Sequence, residues 1–180
     1  TTMADIKAYR PRSNSISSGQ VLPRDYSFEE GKLIAQEMAD LLCLELVEKE
    51  LVTDSITLHV GYSNRLESKP AHGTIHMTIT TSSARQIIAY TIRLYEQIVD
   101  KYKQIRRMTL TYNHVVDECY QQYDLFTDVT GMEQEHRLQK AVLEIKKRYG
   151  KNAILRGMNL QAGATTIERN QQIGGHKSGV

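Results

Sequence analysis

The spacing of hydrophobic residues changes along the chain, and each change predicts a new element. Between residues 27 and 50, Ile34, Met38, Leu42 and Leu46 recur at helical spacing and predict a helix with one buried stripe. Residues 55–62 and 74–80 instead alternate apolar and polar positions, which is typical of strands with one buried face. A second helical pattern covers 84–101, and a second alternation covers 106–116. With a weaker first strand at 14–22, the predicted order is β-α-β-β-α-β.

This order predicts an α+β fold, in which two helices cover one face of a four-stranded sheet and water covers the other. Ser27 with Glu30, and Ser83 with Gln86, have the spacing of capping boxes at the two helix starts. Pro23 is expected to end the first strand because proline cannot donate to a sheet. The acidic positions of the first helix are expected to point to solvent; they are Glu30, Glu37, Asp40 and Glu48.

The outward positions of the predicted strands share one chemistry, since they are hydroxyls, imidazoles and a guanidinium without a carboxylate. They are Thr57, His59, Thr74, His76, Thr78, Arg107, Thr109 and Thr111. Such groups donate to phosphate oxygens, which favours binding to a nucleic-acid backbone. The alternative is a solvated sheet surface, because exposed strands favour threonine in any protein. An RNA-recognition module would need outward aromatic residues for base stacking, whereas Tyr62 and Tyr112 fall on the inward register.

Composition sets the size and class of the protein. Its 180 residues, 40% of them hydrophobic, suffice for one domain with its own core plus appended segments. No apolar run approaches the ~20 residues that a membrane span needs, so we expect a cytoplasmic protein without a membrane partner. The net charge is only +2, but acids concentrate between Glu29 and Glu50 and cations between Lys101 and Arg107. This separation allows one face to attract anions.

Two weaker chemical patterns predict no site. His72 and His76 could ligate a metal, but no third ligand is placed to join them. Cys119 near His114 lacks a clear orienting acid beyond Asp117, so an unreactive surface cysteine is the simpler interpretation. We therefore expect neither a metal site nor a cofactor in this chain.

The pentapeptide Gln122-Tyr123-Asp124-Leu125-Phe126 resembles the short peptide by which bacterial polymerases bind the sliding clamp. In that interpretation Gln122 forms hydrogen bonds at the rim of a pocket on the clamp. Asp124 lies next to the apolar pair. Leu125 and Phe126 fill the pocket as anchors. The alternative is that Leu125 and Phe126 hold a loop on the domain surface.

Several segments together resemble the little-finger, or polymerase-associated, domain of Y-family translesion DNA polymerases. They are Arg12–Ser17, the capped acidic helix, Lys69–Thr74 and Ile105–Met108. The resemblance covers about residues 10–118. Residues 138–160 and 165–176 resemble the carboxyl-terminal extension of UmuC-type members.

The resemblance implies a domain that grips primer-template DNA through phosphates during DNA repair and SOS damage tolerance. In the family, backbone contacts come from the positions of Ser15, Ser17, Arg106 and Arg107. Many members have a lysine and an arginine where this chain has Asn14 and Gln20. We therefore expect contact here either to be weaker or to rely more on Arg10, Arg12 and Arg24. With the outward strand residues, the full predicted DNA-binding set is Arg12, Ser15, Ser17, Arg24, Thr74, His76, Arg106, Arg107 and Thr109.

The family's catalytic carboxylates and Mg²⁺ belong to a palm domain, and no palm pattern is present in this sequence. The resemblance therefore implies that the chain is inactive as a polymerase alone and has upstream polymerase domains as partners. Two alternatives stay open at this point. One is an RNA-recognition-like module, and the other is a clamp-binding adaptor without DNA affinity.

The sequence divides into five expected segments. They are a linker from the thumb side at 1–13, the little-finger domain at 14–118, a linker with the clamp motif at 119–131, a helical extension at 132–160 and a polar tail at 161–180. In the extension, Leu138, Ala141, Val142, Ile145 and Tyr149 predict an apolar stripe that Gly150 ends. The composition from Gly163 onward predicts flexibility unless a partner orders it.

Overall fold

The computed structural model describes residues 14–63, 68–120 and 128–172. Its elements are β1 Ile16–Tyr26, α1 Phe28–Glu48, β2 Leu51–Tyr62, β3 Ala71–Thr81, α2 Ala84–Ile98, β4 Ile105–Asn113, β5 Val116–Asp117, α3 Val129–Tyr149 and α4 Thr166–Asn170. Short 3₁₀ turns occur at Glu118–Tyr120 and Gly157–Leu160. The predicted α+β class and element order are confirmed, and β5 is a short addition.

The sheet has the strand order β1-β4-β2-β3, and every paired strand is antiparallel. β5 extends the sheet by pairing with the first residues of β2. A β-α-β-β-α-β order is also compatible with split βαβ units, in which strands joined through a helix lie parallel. This protein has that arrangement: β1 and β2 run parallel with β4 between them, and β3 and β4 run parallel with β2 between them. The predicted β2–β3 hairpin is confirmed.

The core lies between the inner face of the sheet and helices α1 and α2. The inward residues of β2 and β4 are fully buried, as their alternation predicts. Two buried phenols satisfy their hydrogen bonds on α1, where Tyr112 donates to the Ala39 carbonyl at 2.8 Å and Tyr95 donates to the Phe28 carbonyl at 2.7 Å. Burial raises the pKa of both tyrosines, so they stay neutral donors.

The start of α1 shows the predicted capping box. Ser27 Oγ accepts from the Glu30 N–H, and Glu30 accepts from the Ser27 N–H. Ser83 also caps α2, but Gln86 does not complete a second box. The Gln86 Nε2 atom instead lies 3.8 Å from the sulfur of Met132.

Pro23 does not end the first strand, so that prediction is wrong. β1 continues to Tyr26, and its pairing with β4 is irregular between Val21 and Tyr26. β1 is an edge strand, and Pro23 lies within this irregular part. A residue without an N–H is tolerated there because no ladder hydrogen bond depends on it.

The acidic face of α1 is partly buried, contrary to the sequence prediction. Glu37 is 1% exposed and Asp40 is 7% exposed. Glu37 accepts hydrogen bonds from Asn159 Nδ2 at 2.8 Å, from the Thr165 N–H at 2.8 Å and from the Thr166 N–H at 3.4 Å. The chain from Gly157 to Asn170 therefore packs on α1, and the predicted flexibility from Gly163 is wrong for the described residues up to 172.

Polar contacts help to attach α3 to the domain. Glu135 accepts from Ser83 Oγ at 2.5 Å and from the Arg85 N–H at 2.8 Å, satisfying free donors at the start of α2. The predicted stripe is wrong at three positions, because Leu138 is 61% exposed, Tyr149 is 67% exposed and Ala141 is exposed as well. Gly150 does follow the helix end, with φ of 103°.

Candidate nucleic-acid interface

The face of the sheet opposite α1 and α2, here called the open sheet face, carries its side chains in rows across the strands. Written in strand order from β1, the rows are Ser17, Thr111, Thr57 and Thr74; then Gly19, Thr109, His59 and His72; then Val21, Arg107 and Gly61; a fourth row joins Asn113, Ser55 and His76. These described positions include no carboxylate. The rows therefore present hydroxyl, imidazole and guanidinium groups on one surface.

The first row contains a hydrogen-bonded pair of hydroxyls. Thr57 Oγ1 lies 2.8 Å from Thr74 Oγ1, and Asn113 Nδ2 donates to Thr57 Oγ1 at 2.9 Å. Ser17 and Thr74 are exposed, and so is Thr109 in the next row. Their hydroxyls are positioned to donate to an anion on this face.

A β-bulge turns two adjacent arginines away from the core. Between Tyr62 and Gly61, β2 advances one residue while β4 advances two, from Ile105 to Arg107. Ile105 and Met108 are both buried, so neither Arg106 nor Arg107 points inward. Regular alternation would have placed one of the two in the core. The bulge gives the edge of this face two cations in succession.

The two arginines have different neighbours. Arg106 Nη1 lies 3.9 Å from Asp25 Oδ1, at the long end of ion-pair distances. Arg107 crosses over Gly61, because a Cβ atom built on Gly61 would fall 2.2 Å from Arg107 Nε. No carboxylate of the described residues is within ion-pair distance of Arg107. Its guanidinium is therefore the cation of the face that is most available to an anion.

Arg24 does not join this pair. Its guanidinium contacts both carboxylate oxygens of Glu30, at 2.5 Å and 3.2 Å, and lies over the ring of Tyr26. These hydrogen bonds from Arg24, together with the Ser27 N–H, lower the pKa of Glu30 to about 2. A DNA contact by Arg24 stays a prediction, and it would require Arg24 to leave this carboxylate.

The other predicted residues fall into two groups. Ser15 is exposed just before β1, and Ser17, Thr74, His76 and Thr109 are exposed on the open sheet face. Arg12 and the pentapeptide 122–126 lie outside the described residues.

The sequence interpretation missed the pairing of histidines on this face. His59 and His72 are directly opposite each other on β2 and β3, with ring centroids 6.1 Å apart. His76 and His114 stack with the same separation. The predicted strand begins at Thr74 and leaves His72 in the preceding connection, whereas β3 begins at Ala71. Extending the two-residue alternation backward from Thr74 would have placed His72 outward.

The weaker candidates find no support in the described part of the chain. There, no group of three histidine, cysteine, aspartate or glutamate side chains is arranged to hold a metal ion. His114 Nδ1 lies 3.0 Å from Asp54 Oδ1, and Cys119 is exposed. None of the described helices is long and apolar enough to cross a membrane.

Comparison with solved structures finds similar domains at low sequence identity. The structure described as "Complex of beta-clamp processivity factor and little finger domain of PolIV" aligns with a TM-score of 0.44 and 10% identity, covering 63% of this chain and 100% of that chain. The insertion ternary complex of Dbh DNA polymerase aligns with a TM-score of 0.43 and 16% identity, covering 63% of this chain and 33% of that chain.

Comparison of sequences identifies the family. A putative UV-damage repair protein, UvrX, from Bacillus subtilis is 27% identical over 91% of this chain and 39% of its own length. A DNA polymerase IV 2 from Halalkalibacterium halodurans is 23% identical over 92% of this chain and 40% of its own length. The chain thus spans about two-fifths of these relatives. Residues 13–125, more than half of the chain, match the model of the impB/mucB/samB family C-terminal domain. The chain therefore belongs to the impB/mucB/samB family, and residues 13–125 form the C-terminal domain of that family.

Proposed function

We propose that the open sheet face binds primer-template DNA through its phosphates, and that the chain thereby holds DNA for a lesion-bypass polymerase. The observation that carries this proposal is the bulge in β4, which turns both Arg106 and Arg107 outward beside rows of hydroxyl donors. Guanidinium forks and hydroxyls bind phosphate oxygens without reading base edges. The domain would then grip DNA of any sequence.

The composition of the rows favours a duplex over single-stranded RNA. Sequence-specific RNA modules stack unpaired bases on exposed aromatic side chains. The rows contain no phenylalanine, tyrosine or tryptophan among the described positions, and Tyr62 and Tyr112 are buried on the inner face. In a direct competition, the chain should therefore prefer a primer-template to single-stranded RNA.

The salt dependence of binding tests the phosphate contacts. Fluorescence anisotropy with a labelled primer-template, repeated over a range of salt concentrations, gives the slope of log affinity against log salt. Replacing two phosphate-contacting arginines, Arg106→Ala with Arg107→Ala, should make that slope shallower by about 1.8. Arg93→Ala is the matched control, because Arg93 is exposed on α2 on the opposite side of the domain. Salt-independent binding, or equal slopes for the double variant and the control, would disprove the DNA-face proposal.

We further propose that the pentapeptide 122–126 tethers the polymerase to the sliding clamp. It follows β5 and the 3₁₀ turn Glu118–Tyr120 directly, so the tether would begin where the DNA-binding domain ends. Leu125→Ala with Phe126→Ala should abolish retention on immobilised clamp while leaving DNA affinity unchanged. Leu160→Ala serves as the control, since Leu160 is an exposed leucine elsewhere. Clamp retention by the double variant would assign the pentapeptide a purely structural role.

The upstream part of the parent protein would supply polymerisation. The chain spans about two-fifths of its relatives, so we propose that the Mg²⁺-binding carboxylates lie in the remaining length. A primer-extension assay with Mg²⁺ should detect no nucleotide incorporation by this chain alone. Incorporation above background would contradict this division of labour.

A further inference from the structure

Two directly opposed histidines lie in the second row of the open sheet face. His59 on β2 faces His72 on β3, and their rings meet edge to face with centroids 6.1 Å apart. Thr109 of β4 completes the row on the other side of His59. His72 is exposed and His59 is half-buried, while α1 and α2 lie beneath the opposite face of the sheet. An anion on this surface can therefore reach both rings.

The charges around this pair are positive. Arg107 is in the adjacent row, and its side chain lies over Gly61, two residues from His59 on the same face. The polar neighbours are the hydroxyls of Thr109 on β4, Thr57 on β2 and Thr74 on β3. No carboxylate of the described residues is in ion-pair contact with either ring.

The second histidine pair of the face has a different environment. His114 stacks on His76 with an interplanar angle of 22°, and its Nδ1 lies 3.0 Å from Asp54 Oδ1. A positive charge on His114 would already have a partner in the protein. Among the described residues no carboxylate partners His59 or His72, so a positive charge on either ring is available to a bound anion.

We infer that His59 and His72 form a proton-dependent phosphate-binding site, so that this domain grips DNA more tightly as the pH falls through neutrality. The inference rests on the proposed DNA-binding function and adds regulation to that same surface. When both rings are protonated, they repel each other and Arg107. A bound phosphate relieves that repulsion and accepts a hydrogen bond from the N–H group that protonation creates. Phosphate binding is then coupled to proton uptake, and histidine is the residue type that exchanges a proton in this pH range.

The test compares DNA affinity at two pH values. The dissociation constant of the full chain for a primer-template is measured by anisotropy near pH 6 and near pH 8, at constant ionic strength and with EDTA present. The chain should bind about tenfold more tightly at the lower pH. His59→Gln with His72→Gln should lose most of the gain in affinity between pH 8 and pH 6.

Matched variants separate this site from the other histidines. His136→Gln, on α3, removes an imidazole that lies 3.1 Å from Glu118 and away from the sheet face, so it should keep the full pH effect. His114→Gln should keep most of it, because His114 already has Asp54 as a partner. The single variant His72→Gln changes only an exposed position, and circular dichroism verifies that this variant folds.

Three results would overturn the inference. One is DNA binding by the unmodified chain that does not vary with pH. Another is a double variant that loses affinity equally at both pH values, because the rings would then act by stacking or packing rather than by charge. The third is a pH effect that the double variant retains in full. Absence of DNA binding at either pH would instead disprove the proposed function, and the inference with it.

Discussion

The open sheet face and the acidic face of α1 are both polar in sequence, yet the second is partly buried by a later part of the chain. On the sheet, Arg107 and the outward threonines remain accessible. On α1, Glu37 and Asp40 are buried beneath α3 and the chain from Gly157 to Asn170. Periodicity separates two faces of an element, but it does not show which polar face a later part of the chain will cover.

The two faces also differ in how their charges are satisfied. A buried carboxylate is costly unless hydrogen bonds or an opposite charge replace its water. Glu37 receives N–H donors from the carboxyl-terminal segment, and Asp40 Oδ1 has Arg156 Nε at 2.8 Å. Burial still raises the pKa of Asp40, although Arg156 opposes this change. The sheet face keeps its cations in water, where an incoming phosphate is the group that can partner them.

The largest expected effect comes from removing the buried carboxylate. Glu37→Ala leaves the N–H groups of Thr165 and Thr166 without their acceptor, so we expect the free energy of unfolding to fall by about 3 kcal/mol. Urea denaturation measures this change. Glu144→Ala, at an exposed position in α3, is the control and should change stability by no more than about 0.5 kcal/mol. Equal effects would mean that the carboxyl-terminal segment is not anchored through Glu37.

An intermediate effect is expected where the backbone makes room for Arg107. Gly61→Val places a Cβ atom where the Arg107 side chain now lies and should displace the guanidinium. We expect about threefold weaker DNA binding, because one phosphate contact is disturbed. Secondary structure should be unchanged, because the substitution leaves the hydrophobic core intact. Gly157→Ala is the control, since a Cβ atom there meets open space. Unchanged affinity for Gly61→Val would show that the position of Arg107 does not matter for binding.

The smallest effect is expected from the surface ion pair of Arg24 with Glu30. Arg24→Ala should raise the pKa of Glu30 from about 2 toward its ordinary value of 4.5, as measured by NMR titration of the side-chain carboxyl. Because the folded pKa is lowered, Glu30 stabilises the fold above pH 4.5, and this contribution is lost as the pH falls toward 2. The stability change should be small, since exposed ion pairs contribute little. A Glu30 pKa that stays near 2 would mean that the helix cap alone lowers it.

Part of the candidate site could be predicted from sequence because strands expose alternate residues. The outward positions Thr57, Thr74, Thr109 and Arg107 follow from the two-residue period of each strand, and the structure places all four on the open sheet face. The outward direction of Arg106 could not be predicted, because a bulge breaks that period. The partner of Arg24 could not be predicted either, since Glu30 competes with any DNA phosphate for the same guanidinium.

The sequence by itself determined the order of the main strands and helices, the buried faces of β2 and β4 and the capped start of α1, because these depend on neighbours a few residues apart. The tertiary structure alone decided the strand order, the bulge at Arg106 and the pairing of His59 with His72. It also decided the burial of Glu37 by residues more than a hundred positions later in the chain. The physical reason is that local spacing specifies which side chains share a face, whereas long-range packing specifies what that face meets.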